Sequence, residues 1–411
     1  MTTVVPATPD LEGAFFATAT TPPAIDTARL VLAMLDSGAG ISDLVFSPGR
    51  PPQVEQHGDL VPVAVPEIPI LKATDTARIA QDLIKGNAQV LKTLEDTGAC
   101  DLSYVLPERS RFRANVFRQR GTFAIVMRVI AQKIPTLDDL NLPSSLAAAA
   151  ELKNGIVLVT GPTGSGKSST LAAMINMINE TRAEHILTIE DPIEFLHQHK
   201  KGTVHQREVH SDVPSFAAAL RAALRQAPKV ILVGEMRDRE TIEIAMTAAE
   251  TGHLVFSTLH TIDASKTVER IIGVFPAADQ QAVRTRLAAS FRYFVSQRLL
   301  PRKDGKGRVA MIEILKSTMR TREYIEKGEG EGKTLLDAMR DGDMEGMQDF
   351  DTMLDRAVTL GVITKDDALH YATNAGNLNL RLSEVDDADI PAASPEVLYA
   401  PAAEEMAEIE R

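Results

Sequence analysis

The chain has 411 residues, of which 44% are apolar and 24% charged, proportions that suit a globular protein of more than one domain with real cores to bury. The single Cys100 excludes an internal disulfide and a cysteine zinc site, and no apolar run approaches the roughly 18 residues of a membrane span. The net charge of −12 is concentrated from Glu384 to Arg411, nine acids against one base, leaving a nearly neutral body that is a poor candidate for gripping nucleic acid.

Residues 1–25, rich in Thr, Ala and Pro, read as a disordered arm, and Met1 to Asp10 lacks the basic start and apolar stretch of a signal peptide. A cytoplasmic protein is expected. From Ile25, IDTARLVLAMLD has helical spacing, and SDLVFSPGRPP then turns to a short strand and a Gly/Pro turn. Thr76 to Ile84 and Ala88 to Leu94 read as helices. RFRANVFRQRG and TFAIVMRVI read as a β-hairpin around Gly121, so residues 26–133 form a small α+β domain. Arg111, Arg113, Arg118, Arg120 and Arg128 crowd that hairpin. They can face water, contact nucleic acid, or neutralise a departing phosphoryl group, and strand alternation puts Arg111 and Arg113 on one face.

PTLDDLNLP falls in a linker over 134–145. Over 146–383 the short apolar runs GIVLVT, HILTIE, KVILVG and LVFST alternate with helical segments. That pattern belongs to buried parallel strands joined by crossover helices, an α/β fold. From Ser317 onward the reading is all helical. Residues 384–411 read as an acidic, disordered tail.

Gly161, Pro162, Thr163, Gly164, Ser165, Gly166, Lys167 and Ser168 fit GxxxxGK[ST] at every fixed position, between an apolar strand and a helix opening at Ser169. Glycines let the backbone N–H groups turn inward around phosphates, and the helix N-terminus adds its dipole. Lys167 can reach the β/γ-phosphates of ATP and the Ser168 hydroxyl can ligate Mg²⁺. ILTIEDPIEF ends a strand in Glu190, Asp191 and Glu194, where a carboxylate can deprotonate the attacking water or help hold Mg²⁺. KVILVGEMRD ends in Gly234-Glu235, the place of a Walker B acid. Glu in place of the common Asp points to metal contact through water. TGHLVFSTLHT sets His253 and His260 at the two ends of a strand, where both can sense the γ-phosphate or link neighbouring subunits.

Taken in order, these motifs resemble the PilT/PilU family of type IV pilus retraction ATPases, within the secretion ATPase superfamily, from about Ile25 to Leu382. SDLVFSPGRPP, RFRANVFRQRG, the P-loop, TIEDPIEF, ILVGEMRD and TGHLVFSTLHT carry the resemblance. It implies a PAS-like N-terminal domain, a RecA-like ATPase domain with C-terminal helices, and a homohexameric ring. Glu194 becomes the catalytic base, Glu235 the Walker B acid, His253 and His260 the histidine-box residues, and Arg113 and Arg128 the arginines presented to nucleotide. The ring is expected at the inner face of the inner membrane, peripheral to a platform protein. A paralogous retraction ATPase is a further partner. FRQRG, EFLHQHKKGTVHQREV and the extended C-terminus look more like PilU, which leaves an assisting role open beside solo retraction. Pilus-assembly and type II secretion ATPases resemble the same core, but they commonly carry a four-cysteine insertion that Cys100 alone cannot supply.

Overall fold

Alternation of apolar and polar residues builds the first of two units, Met1–Gln132 and Lys133–Arg411, into which the chain divides. The computed structural model describes residues 26–399 apart from 57, 108, 131, 132, 387 and 388. The expected arm at 1–25 and the end of the tail, 400–411, lie outside the described residues.

In the first unit, β1 (Ile41–Phe46), β2 (Gln53–Gln56), β3 (Asp59–Pro62), β4 (Ala99–Leu106), β5 (Ser110–Gln119) and β6 (Thr122–Ile130) make an antiparallel sheet ordered β3-β2-β1-β6-β5-β4. The β5–β6 turn is tight because Arg120 and Gly121 both take positive φ, 47° and 76°, as a two-residue hairpin with native twist requires. Helices α1 (Thr27–Leu35), α2 (Ala73–Ile84) and α3 (Ala88–Thr97) supply the rest of this unit's core. Leu44, Phe46, Phe112, Ala114, Val116, Ile125 and Met127 face that core, so the pleat turns Asp43, Arg113 and Arg128 to the other face.

The second unit is built on β7 (Gly155–Thr160), β8 (His185–Glu190), β9 (Thr203–Glu208), β10 (Val230–Val233), β11 (Leu254–Leu259), β12 (Phe291–Pro301) and β13 (Arg308–Lys316). Their spatial order is β13-β12-β7-β11-β10-β8-β9, parallel throughout except for the antiparallel hairpin β12–β13. β7, β10 and β11 are apolar along their length and wholly buried because helices cover both sides of the sheet. After the four-residue α4 (Ala147–Ala150), α5 (Lys167–Thr181) packs on one side. On the other lie α6 (Phe216–Ala223), α7 (Arg239–Glu250), α8 (Ala264–Gly273) and α9 (Gln280–Ser290). The chain closes with α10 (Met319–Lys327), α11 (Leu335–Arg340), α12 (Phe350–Thr359), α13 (Lys365–Tyr371) and α14 (Ala375–Arg381), the last three clustering with the β12–β13 hairpin.

Two sequence expectations need correction. The segment 134–145 is not a free linker: Leu137 and Leu142 are buried in the second unit, and Thr136 and Asp139 exchange hydrogen bonds of 3.0 Å that fold it back on itself. The tail expected to be disordered over 384–411 is docked as far as residue 399. Leu398 is fully buried and the Tyr399 hydroxyl donates to the carbonyl of Ala310 on β13 at 2.9 Å. Burial of a few apolar side chains outweighs an acidic composition there.

Candidate active site

Four neighbouring strands, β7, β11, β10 and β8, run parallel and end at the same edge of the sheet. The phosphate-binding loop follows β7, His260 follows β11, Gly234-Glu235 follows β10 and the segment bearing Glu194 follows β8. Chain order scatters these residues over a hundred positions, and the sheet gathers them. An open parallel sheet binds ligands at this carboxyl edge.

The loop itself is shaped for an anion. Gly161, Gly164 and Gly166 hold φ of 141°, 77° and 93°, which side-chain-bearing residues avoid. A Cβ on Gly161 would sit 2.3 Å from the backbone oxygen of Gln297 on β12, so that position also needs glycine for space. Helix α5 begins at Lys167 behind Gly166, with no side chain capping its first N–H groups. Those donors are left for a ligand, and the helix dipole favours a negative one. The buried hydroxyls of Thr160 and Ser165 likewise have no hydrogen-bond partner. The buried Lys167 turns its Nζ onto the carbonyls of Gly161 and Pro162, 2.9 Å each, a cation held at the loop's mouth. Pro162 and Thr163 are exposed on the loop's rim, and Ser168 and Ser169 lie half-buried in the first turn of α5. These residues fit a nucleoside triphosphate, and Ser168 stands in the first turn of α5 beside the loop. Among the described residues no group of three or more His, Cys, Asp or Glu could hold a metal ion.

Burial lowers the Lys167 pKa, and the charges of Glu194 and Glu235 act against that, which puts both carboxylates within electrostatic reach of the ammonium. Glu235 is bracketed by Arg237 Nε at 2.7 Å and His260 Nε2 at 3.6 Å. Partial burial and the nearby Lys167 charge together lower the His260 pKa, opposed by Glu235. Glu235, Arg237, Thr258, Leu259, His260, Thr261 and Arg270 line a cleft of about 370 Å³. The arrangement can bind a triphosphate, present a carboxylate to water and stabilise charge on a leaving phosphoryl group.

His253 does not join this cluster. It precedes β11, six residues upstream of His260's end of the strand, so the two rings are roughly 20 Å apart along the sheet. Its Nδ1 lies 2.9 Å from the carbonyl of Ala248 and 3.3 Å from Thr251 Oγ1, which ties it to the end of α7. In the first unit, Arg113 and Arg128 are directly opposed across β5 and β6. Arg128 pairs with Asp43 at 2.9 Å, and Arg113 lies 3.9 Å from Asp101. Arg237 and Gln297 escaped the sequence reading. Arg237 sits two residues past Glu235, close enough for the sequence to mark it, whereas Gln297 is far away in the chain and carries no signal. Gln297 accepts a hydrogen bond from Thr170 of α5 at 2.9 Å, beside the loop it crowds.

Comparison with known proteins agrees with this geometry. Residues 101–352 match the family described as Type II/IV secretion system protein. The type IV pilus retraction ATPase PilT of Pseudomonas aeruginosa is 44% identical over 81% of this chain and 94% of its own length. The type IV pilus ATPase PilU of the same organism is 40% identical over 88% of this chain and 93% of its own. Among solved structures, the pilus retraction motor PilT with bound ADP superposes with a TM-score of 0.75 at 40% identity, covering 86% of this chain and 98% of that one.

Proposed function

The chain belongs to the PilT/PilU family of ATPases within the type II/IV secretion system proteins, and on that premise we propose that it is a homohexameric motor that hydrolyses ATP to retract a type IV pilus. The observation that supports the reading is the convergence of the phosphate loop, Glu194, Glu235 and His260 on four adjacent strand ends.

The backbone N–H groups of Thr163, Gly164, Gly166, Lys167 and Ser168 take the phosphate oxygens, and Lys167 exchanges its two carbonyl partners for the β- and γ-phosphates. Ser168 would hold Mg²⁺ through its hydroxyl and Glu235 would hold it through water, and the metal would supply positive charge against the triphosphate. Glu194 orients the attacking water and takes its proton as the bond to the leaving oxygen breaks. Arg237 and His260 fix the Glu235 carboxylate in one rotamer. Arg113 and Arg128 serve the departing phosphoryl group, trading Asp101 and Asp43 for phosphate oxygens.

Among the described residues no helix is long and apolar enough to cross a membrane. The motor is read as a peripheral ring on the cytoplasmic face of the inner membrane, seated on a platform protein and binding no nucleic acid. The longer match to PilU favours a second reading, an accessory ring working beside a paralogous retraction ATPase.

The test is the number of pili per cell, counted by electron microscopy in a strain carrying Lys167→Ala at the native locus. Hyperpiliated cells that do not retract are expected. Bald cells would make the protein an assembly engine, and unchanged cells would make its own hydrolysis dispensable.

A further inference from the structure

The segment that carries Glu194 has no regular structure, yet it is anchored at both ends by the elements beside it. Asp191 to Gly202 joins β8 to the edge strand β9. On β9 the side chains of Val204, Gln206 and Glu208 share one face by strand alternation, opposite Ile186, Thr188 and Glu190 of β8. Glu208 Oε2 accepts the backbone N–H of Ile193 at 3.0 Å, one residue before Glu194. Gln206 Oε1 accepts the backbone N–H of His197 at 2.8 Å, three residues after it. The Gln206 amide nitrogen donates to the carbonyl of Phe195 at 2.8 Å and to Glu190 Oε1 at 3.0 Å. Only one orientation of that amide is possible, because His197 N–H requires the oxygen and the Phe195 carbonyl requires the NH₂. Glu190 completes the set: it takes the Thr188 hydroxyl at 2.6 Å and the backbone N–H of Glu194 itself. Further along, Asn179 of α5 donates to the carbonyl of Gln198 at 2.7 Å and accepts Lys200 N–H at 3.2 Å. The segment is thus tied to the helix that opens with Lys167.

We propose that Gln206 and Glu208 are positioning residues that hold the backbone on either side of Glu194, so that its carboxylate meets the water attacking the γ-phosphate. The proposal rests on reading Glu194 as the base. A displaced base is costly: a misplacement of about 1 Å lowers turnover on the order of 10²-fold. Two side chains spending every polar atom of a glutamine and one carboxylate oxygen on backbone groups of a single segment is how such placement is achieved without secondary structure.

The test uses the full-length assembled protein and reads steady-state kcat and KM for ATP together with ADP affinity by calorimetry. Gln206→Leu and Glu208→Leu are expected to lower kcat at least tenfold while KM and ADP affinity stay within about threefold, the split expected of an interaction needed in the transition state. Glu208→Gln keeps an acceptor for Ile193 N–H and is expected to restore most of kcat, which loss of packing would not allow. If Gln206→Leu does not assemble, Gln206→Glu carries the same expectation, because it keeps the chain length and the acceptor but loses both donors. The decisive comparison adds Gln206→Leu to Glu194→Gln and measures the residual single-turnover rate. A residue acting through Glu194 costs little once Glu194 is gone. An equal cost in both backgrounds, or an unchanged kcat in Gln206→Leu, overturns the proposal. Near-normal turnover by Glu194→Gln alone would instead remove Glu194 as the base, so the two failures are told apart.

Discussion

The six-stranded sheet of the first unit carries Arg113 and Arg128 exposed and Asp43 buried on the face away from its core, whereas in the second unit β7, β10 and β11 carry no charge along their length and the ionisable groups gather just past their ends. Arg113 and Asp101 are both exposed, and such a surface pair is worth little and exchanges readily, whereas Arg128 reaches the buried Asp43 at 2.9 Å. At the strand ends the backbone fixes each residue's origin, and hydrogen bonds to Glu235 and around Glu194 fix its aim. The groups past the strand ends of the second unit are therefore rigidly placed, whereas Arg113 of the first unit is adaptable.

The sharpest way to break this comparison is Lys167→Ala, which should abolish both ATP turnover and tight nucleotide binding, measured by phosphate release and calorimetry. Glu194→Gln should retain nucleotide binding and lose on the order of 10²-fold or more in kcat. An exposed arginine should behave differently again. Arg113→Gln removes a pair that is half exposed on both sides, so thermal stability should change by less than about 1 kcal/mol. Turnover should nevertheless fall about tenfold or more if Arg113 meets the departing phosphoryl group. An unchanged kcat would leave Arg113 as a solvated side chain beside Asp101 on the first sheet.

The smallest effect on turnover concerns Glu313, a carboxylate buried in the second sheet. Glu313 on β13 accepts the N–H of Ala264 at 2.8 Å and the Ser296 hydroxyl at 3.0 Å, and burial pushes its pKa from the usual 4.5 up to about 8. An acid whose folded pKa is raised contributes stability below 4.5 that is lost as pH rises toward 8, because the unfolded chain ionises first. Glu313→Gln keeps an acceptor and cannot ionise. Its Tm advantage over the native protein should be near zero at pH 4.5 and grow steadily as pH rises toward 8, measured by thermal melts across that range.

Much of the second unit was legible because its signals are local: an apolar run, then a glycine, a carboxylate or a histidine. The hairpin β5–β6 was legible for the same reason, with a turn at Gly121. What escaped depends on contacts distant in the chain. The strand β12, FRYFVSQRLLP, mixes Arg292, Ser296, Gln297 and Arg298 among its apolar residues, and its pairing with β7 has no local mark. Leu137, Leu142, Leu398 and Tyr399 are single apolar anchors in segments whose overall composition reads as linker or tail. His253 shares its motif with His260 but stands at the opposite end of β11, where linking neighbouring subunits stays open to it. Six residues of extended strand carry it to the far edge.

The close approach of Gln297 to Gly161 bears on how portable the phosphate loop is. A grafted octapeptide brings its glycines and lysine to a new scaffold, but here the first glycine answers to a strand 136 positions later as much as to the nucleotide. A recipient sheet whose neighbouring strand runs farther off would relieve the crowding, yet the positive φ would still strain alanine at that place. One whose strand runs as close would need glycine even if it never bound a phosphate.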